Sequence, residues 1–265
     1  MEDLLNTLHL AVLSAAEAGH NALTSDIGDD PQRLAALLLE TTSLAANLRR
    51  VSAAAIQESL AATAPAVPDE VRWLVNPLDG ITELRGSDWN FAVRPHHAIG
   101  VAAELGGTIV AAHLLKLERL TLDSAIGFGP SGLVGTLPDL DHDDDVSTPL
   151  VSRHLDPAQT LAIALPVGGE DRSQALRLLA DLAPAVPEFR ISGSPLSDLA
   201  SVAQGQHLAA YLGLGQDPDP TAPGLAVVRA CGGAVSEGRT ADGLRVEMGG
   251  IPELVDTVAN LLITR

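Results

Sequence analysis

The residues with the clearest capacity for chemistry lie in one short stretch of the N-terminal half. It reads Trp73-Leu74-Val75-Asn76-Pro77-Leu78-Asp79-Gly80-Ile81-Thr82-Glu83-Leu84. The pattern predicts a short buried strand, an Asn-Pro turn, and a helical turn that Asp79-Gly80 opens. A strand that ends in such a turn brings carboxylates and free backbone N–H groups to one point. The N–H groups of Gly80, Ile81 and Thr82 would face a bound phosphate or carboxylate. Glu83, one turn beyond Asp79, either faces the same bound group or caps local structure.

Two later segments carry residues of the same chemical kind. They are Asp219-Pro220 and Gly193-Ser194. Asp-Gly and Asp-Pro pairs are also common turn formers, so the alternative is that both acids only shape the backbone.

Helices followed by antiparallel strands must position the first of these segments. Apolar residues recur at helical spacing from Leu4 to Ala16, and Gly19 is the predicted end of that helix. Asp30-Pro31 predicts the start of a second helix. Residues 98–105 and 108–117 predict two antiparallel strands joined by a glycine pair. The N-terminal half is therefore predicted to be α+β.

The second half alternates strands and helices. Strands are predicted at 160–166, 189–191, 207–214 and 233–236, and helices at 172–182, 196–204, 224–230 and 252–263. This alternation indicates an α/β layer. The acidic run at 139–145 predicts an exposed connection, so we divide the chain at 1–145 and 146–265 and treat it as one compact unit.

Charge and cysteine content exclude several classes of function. The chain has 265 residues, with 34 acidic against 16 basic residues and a net charge of −18. Nucleic acids and anionic membranes are unfavourable partners for such a surface. The single cysteine, Cys231, excludes an intrachain disulfide and suits a reducing compartment. The acidic start, Met1-Glu2-Asp3, is not a secretory signal. We therefore expect a cytoplasmic protein.

Five short motifs follow the order found in the inositol monophosphatase superfamily, whose members are magnesium-dependent, lithium-sensitive phosphatases of sugar and inositol phosphates. In this chain they read Ala55-Ile56-Gln57-Glu58-Ser59, Asn76-Pro77-Leu78-Asp79-Gly80, Gly193-Ser194-Pro195, Asp219-Pro220-Thr221-Ala222 and Ala230-Cys231-Gly232-Gly233. The family counterparts are Gly-Glu-Glu, Asp-Pro-x-Asp-Gly-Thr, Gly-(Ser/Thr)-Ala, Trp-Asp-x-Ala and Glu-Ala-Gly-Gly. The chain resembles the family from about residue 4 to about residue 260. The resemblance implies a layered αβαβα sandwich and a homodimer. It also implies that Asp219 approaches Asp79 across a cleft between the two halves of the chain, with Gly193-Ser194 at its border.

The resemblance also implies where the family's metal ions would lie. The four ligand positions carry Gln57, Asn76, Asp79 and Asp219 in this chain. Magnesium prefers oxygen ligands, several of them anionic, and two of the four carboxylates are neutral amides here. Their loss should weaken metal binding by several kcal/mol in total, on the order of a few kcal/mol for each charge contact. We therefore expect no cofactor, or weakly bound magnesium on Asp79 and Asp219.

Other catalytic positions of the family are only partly preserved. Ile81 stands where the family has its water-activating threonine. The acidic partner of that threonine would be Asp26, Asp29 or Asp30, and the spacing does not choose between them. Glu58 remains as a possible acid next to the metal ligands. If the cleft keeps any chemistry, the candidate catalytic residues are Asp79, Asp219, Glu58 and Glu83.

Three functional hypotheses follow. The first is a divergent member of the superfamily with a dismantled metal-dependent phosphatase site. Its cleft would retain a small anionic or polar ligand, and its chemistry would be lost or redirected. The second is a working magnesium-dependent phosphomonoesterase that acts on a sugar, inositol or nucleotide phosphate. The third is a non-catalytic dimeric partner or regulatory protein. The substitutions favour the first and third hypotheses over the second.

Three further features have a plainer alternative. His96-His97 are acid–base candidates if the site is redirected, but neighbouring residues of a strand point to opposite faces, which favours one packed and one exposed ring. The alternating aspartates of 139–145 lack the central glycine and distal glutamate of a calcium loop, which favours a solvated loop. Cys231 is best explained as a small packed residue.

Overall fold

A computed structural model gives the fold. It describes residues 2–27, 42–80, 98–116, 122–126, 133–136, 160–166, 168–186, 188–205 and 208–263. The helices in these ranges are α1 (Glu2–Ile27), α2 (Thr42–Thr63), α3 (Gly169–Leu182), α4 (Pro195–Ala203), α5 (Pro218–Ala230) and α6 (Pro252–Leu262). A short 3₁₀ turn, Ala64–Ala66, follows α2.

The first sheet is an antiparallel meander. Its strands are β1 (Val71–Asp79), β2 (Ala98–Leu105), β3 (Thr108–Lys116), β4 (Leu122–Ile126) and β5 (Leu133–Thr136), each paired with the next. The predicted strands at 98–105 and 108–117 are confirmed, and Gly106 and Gly107 turn the chain with φ of 59° and 79°. The pairing of β1 with β2 shifts between Asn76 and Asp79. This irregularity lies where the candidate site begins.

The second sheet is mixed. Its strands are β6 (Thr160–Ala164), β7 (Phe189–Arg190), β8 (Leu208–Leu214), β9 (Ala234–Arg239) and β10 (Arg245–Gly250), in the spatial order β7-β6-β8-β10-β9. The central strand β6 runs parallel to β7 and β8, whereas β10 is antiparallel to β8 and β9. Because β6, β7 and β8 are parallel, their carboxyl ends meet at one edge of the sheet, where α3, α4 and α5 begin.

Three apolar cores join these elements into five layers. The first core packs α1 and α2 on one face of the meander. The second lies between the sheets and is formed by α4 and α5 with small residues of both sheets, such as Ala102 and Ala162. The third packs α3 and α6 on the outer face of the mixed sheet. The predicted αβαβα sandwich is therefore confirmed.

Several local predictions were wrong. Gly19 does not end α1, because it is a packing residue: a Cβ atom there would lie 2.8 Å from Ser52 Oγ. The Asn-Pro pair is not a turn, since β1 continues through Asn76 and Pro77 to Asp79. Helix α5 begins six residues before the predicted Gly224, with proline at its first position.

Strand β10 was not predicted at all, because Glu247 and two glycines interrupt the apolar pattern that identifies a buried strand in a sequence. The predicted start of the second helix at Asp30-Pro31, the acidic run at 139–145 and the boundary between 145 and 146 lie outside the described residues. No helix in the described ranges combines the length and apolar composition needed to cross a membrane.

Candidate functional site

Asp79 joins the two halves of the molecule through its carboxylate. It is the last residue of β1, and its Oδ2 accepts hydrogen bonds from Ser194 Oγ at 2.9 Å and from the backbone N–H of Leu196 at 2.7 Å. Ser194 is the N-cap residue of α4, and its own side chain does not cap that helix. The carboxylate of Asp79 therefore provides the acceptor for one of the unpaired N–H groups that every helix N-terminus leaves.

Asn76 lies beside Asp79 and contacts the third segment of the site. Its Nδ2 donates to Asp79 Oδ1 and to the carbonyl oxygen of Pro220, both at 3.4 Å. The side chain is 3% exposed, and its Oδ1 is buried without a hydrogen-bond partner among the described residues. Three motifs predicted from the sequence to share one site are thus brought together, since β1, the start of α4 and the start of α5 meet here.

Asp219 has a different partner. Its side chain is 49% exposed and forms an ion pair with Arg72 of β1, with 2.5 Å between Arg72 Nη2 and Asp219 Oδ2. Arg72 also contacts Glu104 at 3.3 Å. Asp217, the N-cap residue of α5, accepts a hydrogen bond from the N–H of Asp219. Asp219 directly precedes Pro220, whose carbonyl oxygen accepts the hydrogen bond from Asn76. That Asp219 and Asp79 act together at one cleft stays a prediction.

The other predicted site residues fall into two groups. Gly80 and Gly193 have φ of 88° and 81°, a left-handed backbone that glycine adopts without strain, and they flank the Asp79–Ser194 contact in sequence. Gln57 and Glu58 lie inside α2, not in a turn, and both are exposed. Ile81, Thr82, Glu83, His96, His97, Asp29 and Asp30 lie outside the described residues, and Asp26 is described only as part of the α1 backbone.

Sequence reasoning missed the polar residues behind Ser194. Asp198, in the first turn of α4, is 1% exposed and accepts hydrogen bonds from Ser192 and, at 3.2 Å, from Arg190 Nη2. Ser192 Oγ in turn accepts from the N–H of Ser194. This network fixes the loop that holds Ser194 against Asp79. The sequence signal that could have identified Asp198 was an acidic residue among apolar residues at the start of a predicted helix.

A second buried acid was also missed. Glu247 of β10 is 0% exposed, and its Oε1 accepts a hydrogen bond from the hydroxyl of Tyr211 at 3.3 Å. Burial raises the pKa of Glu247 to about 7, although the hydrogen bond from Thr221 and the charge of Arg245 both lower it. Burial raises the pKa of Tyr211 most, and the charges of Glu247, Asp79 and Asp198 raise it further. All three acids therefore lie near enough to Tyr211 to affect its titration.

Burial also dominates the titration of Asp79. It raises the pKa of the carboxyl to about 6, although the hydrogen bonds from Leu196, Ser194 and Asn76 lower it and the charge of Asp198 raises it further. An acid with this pKa exchanges a proton near neutrality, whereas an exposed aspartate does so at about pH 4. The site can therefore hold or release one proton at Asp79 and accept a hydrogen bond at Asn76.

The residues at this point differ from the carboxylate cluster that the resemblance implies. Both carboxylate oxygens of Asp79 accept hydrogen bonds from protein groups, and Asn76 presents a donor to that carboxylate. The other candidate acid, Asp219, pairs with Arg72. In the part of the chain that the structure describes, no three histidine, cysteine or acidic side chains group to hold a metal ion. We derive no reaction step through a metal.

Comparison with known proteins identifies the fold. No family model matches the sequence, and no curated protein matches it. Solved structures do match. Extragenic suppressor protein SuhB from Bartonella henselae has a TM-score of 0.66 at 19% identity over 96% of this chain and 98% of its own. Inositol monophosphatase from Anabaena has a TM-score of 0.62 at 18% identity over 97% of each chain. SaIMPase-II with bound inositol monophosphate has a TM-score of 0.59 at 17% identity, covering 96% and 93%. The chain therefore has the fold of the inositol monophosphatase and SuhB proteins.

Proposed function

We propose that this protein keeps the inositol monophosphatase fold with its metal-dependent phosphatase centre dismantled, and that the cleft beside Asp79 binds a small polar or anionic ligand. The observation that carries the proposal is the engagement of Asp79 by α4. A carboxylate that caps a helix and accepts from Asn76 is already paired, whereas a magnesium ligand must offer its oxygens to the ion.

The groups at the cleft favour a ligand with hydroxyl groups as well as negative charge. Asn76 Oδ1, which has no hydrogen-bond partner among the described residues, is an acceptor that suits a ligand hydroxyl. The start of α4 and the glycines Gly80 and Gly193 supply backbone of the kind that approaches an anion closely. Inositol monophosphate, which SaIMPase-II binds in a solved structure, has both properties and is a suitable probe.

Magnesium titration and turnover test the dismantled centre. We expect calorimetry to show at most weak magnesium binding, and we expect no magnesium-dependent release of phosphate from inositol monophosphate, fructose bisphosphate or a nucleotide. The reason is that Asp79 alone supplies too little negative charge to compensate a dication for its lost water. Robust wild-type turnover that disappears on Asp79→Asn would overturn the proposal and establish a working phosphatase.

Ligand binding tests the cleft separately. Inositol monophosphate should bind the wild type in the absence of magnesium, and Asn76→Leu should weaken that binding at least tenfold because it removes the buried acceptor. Asp256→Ala, on the exposed face of α6, is the control and should leave it unchanged. Absence of binding with an intact fold would favour the hypothesis of a non-catalytic partner protein.

We further propose that the protein works in the cytoplasm as a homodimer. The acidic composition and the single cysteine support the compartment, and the resemblance to the superfamily supports the dimer. Sedimentation equilibrium at micromolar concentration should give twice the mass of 27.4 kDa. A monomer under the same conditions would contradict this.

A further inference from the structure

A cavity lies at the edge of the mixed sheet where β6 and β8 end. Its volume is about 280 Å³, close to the lower limit of about 300 Å³ for small-molecule pockets. Three segments line it: the start of α3, the residues that follow β8, and the β9–β10 hairpin. None of the lining residues belongs to the site around Asp79. The cavity is therefore a separate feature of the molecule.

The position of the cavity is one that α/β sheets commonly use for ligands. From β6 the chain passes through α3 to β7 on one side, whereas β8 is the neighbour of β6 on the other side. Helix α3 packs on one face of the sheet and α4 on the other. The strand order therefore reverses between β6 and β8, and a crevice at the carboxyl ends of such strands is a usual binding position.

The lining carries hydrogen-bond donors that the described residues leave unsatisfied. Gln174 of α3 is 8% exposed, and its buried Nε2 has no partner within the described ranges. The Nε of Arg245 is likewise buried without a hydrogen-bond partner there, although its Nη2 pairs with Glu237 at 2.7 Å. A buried donor without an acceptor costs about 1–3 kcal/mol, and an acceptor bound beside Gln174 and Arg245 would recover that cost.

The charges around the cavity define the kind of acceptor. Arg239 and Arg245 line it, and the N-terminus of α3, which lacks a side-chain cap, adds partial positive charge. Asp171, in the first turn of α3, and Asp242 line it as well. A simple anion would match the arginines and meet the carboxylates. A ligand that carries an anionic group together with amino or hydroxyl groups matches both.

We propose that this cavity is a second ligand site, which takes a small organic anion that also carries amino or hydroxyl groups. The carboxylate or phosphate of the ligand accepts from Gln174 and Arg245. Its amino or hydroxyl groups donate to Asp171 and Asp242. This site is independent of the function proposed for the Asp79 cleft, because the two share no residue.

Nuclear magnetic resonance of the full chain reports on the unsatisfied donors themselves. The probes are L-serine and glycerol 3-phosphate, which carry both kinds of group, with glycerol as a probe that lacks the anion. We expect either anionic probe to shift the Arg245 Nε–H and Gln174 side-chain amide signals with saturation below about 10 mM, a binding free energy of about −3 kcal/mol or better. Glycerol should leave these signals unchanged.

Matched variants on α3 separate the site from general effects on the helix. Gln174→Met keeps the volume and removes the donor, so it should weaken binding at least tenfold, measured at the Arg245 Nε–H signal. Ser173→Ala, an exposed neighbour outside the cavity lining, should bind as the wild type. If Gln174→Met does not fold, Asp242→Asn takes its place in the experiment and should weaken the binding of L-serine. The proposal is wrong if neither anionic probe shifts these signals, or if binding is the same in both Gln174→Met and Asp242→Asn as in the wild type.

Discussion

The carboxylate of Asp79 connects the end of β1 with the start of α4. Its partner Ser194 lies 115 residues later in the chain, so this hydrogen bond joins distant segments. Without that acceptor, the buried hydroxyl of Ser194 and the N–H of Leu196 would both lose a hydrogen bond. Each such loss costs about 1–3 kcal/mol. The residue therefore has a structural task that is separate from any contact with a ligand.

We predict that Asp79→Ala lowers the free energy of unfolding by about 2–6 kcal/mol at pH 4.5, where a pKa of about 6 keeps the folded carboxyl protonated. At pH 8 the loss should be smaller, since the substitution then also removes a buried charge. Urea denaturation at both pH values measures the effect. Asp79→Asn, which keeps a carbonyl acceptor, is the matched control and should lose less at pH 4.5. Equal losses in both variants would contradict the capping role.

Glu247 makes the stability of the protein depend on pH. Its pKa is about 7 in the folded state and 4.5 in the reference state, so protonation favours the folded form. The contribution is fully present below pH 4.5 and is lost as the pH rises through 7. A shift of this size corresponds to about 3 kcal/mol at 1.4 kcal/mol per pH unit.

Glu247→Gln removes the cost of burying a charged carboxylate at high pH, and it keeps an acceptor for the hydroxyl of Tyr211. We predict that the variant is up to about 3 kcal/mol more stable than the wild type at pH 8, and that the difference disappears near pH 4.5. Urea denaturation between pH 4.5 and 8 gives both curves. Glu253→Gln, at an exposed position of α6, should show no comparable change in pH dependence. A constant difference between wild type and Glu247→Gln across the range would refute the assignment.

At the scale of secondary structure, α1 and α2 approach each other closely at Gly19. A Cβ atom on Gly19 would lie 2.8 Å from Ser52 Oγ and 2.9 Å from Ile56 Cδ1, and both belong to the facing helix. Alanine is the better helix former by about 1 kcal/mol, but the contact distance does not admit its methyl group. The close approach explains why a residue that often ends helices lies inside a long one.

We predict that Gly19→Ala destabilises the protein by about 1–3 kcal/mol because α2 must move outward. Ser14→Ala, on the exposed face of the same helix, is the control and should be neutral or slightly stabilising. Thermal unfolding followed by circular dichroism compares the two. An increase in stability for Gly19→Ala would show that the helices are further apart than the structure indicates.

At the scale of the whole molecule, α4 and α5 pack between the two sheets and contact both of them. Leu199 of α4 is fully buried in the core that residues of both sheets share. Leu199→Ala should cost about 2–5 kcal/mol, and the loss should reach both sheets. Native-state hydrogen exchange measures this: the slowest amides of β2 and β8 should show equal opening free energies, and both should fall by the same amount. A loss confined to β8 would mean that the halves unfold separately.

The order of helices and strands was available from the sequence because it depends on local properties. Apolar periodicity and glycine pairs predicted α1, β2, β3, α3 and α6 without knowledge of their neighbours. The failures occurred where a neighbouring element decides. Gly19 packs against α2, and β10 pairs with β8 and β9 in spite of Glu247 and its two glycines. Tertiary contacts outweigh a local propensity of about 1 kcal/mol.

The candidate site shows the same division. The family resemblance placed Gly193-Ser194 beside Asp79, and the structure has Ser194 and Leu196 in contact with the Asp79 carboxylate. Only the tertiary structure decided what each group does there. Whether a carboxylate offers its oxygens to a ligand or to the protein depends on which donors lie within about 3 Å, and these come from segments far apart in sequence. For the same reason Asp198, Glu247 and the cavity at Gln174 could not be found from the sequence, since burial and unsatisfied donors exist only in the folded chain.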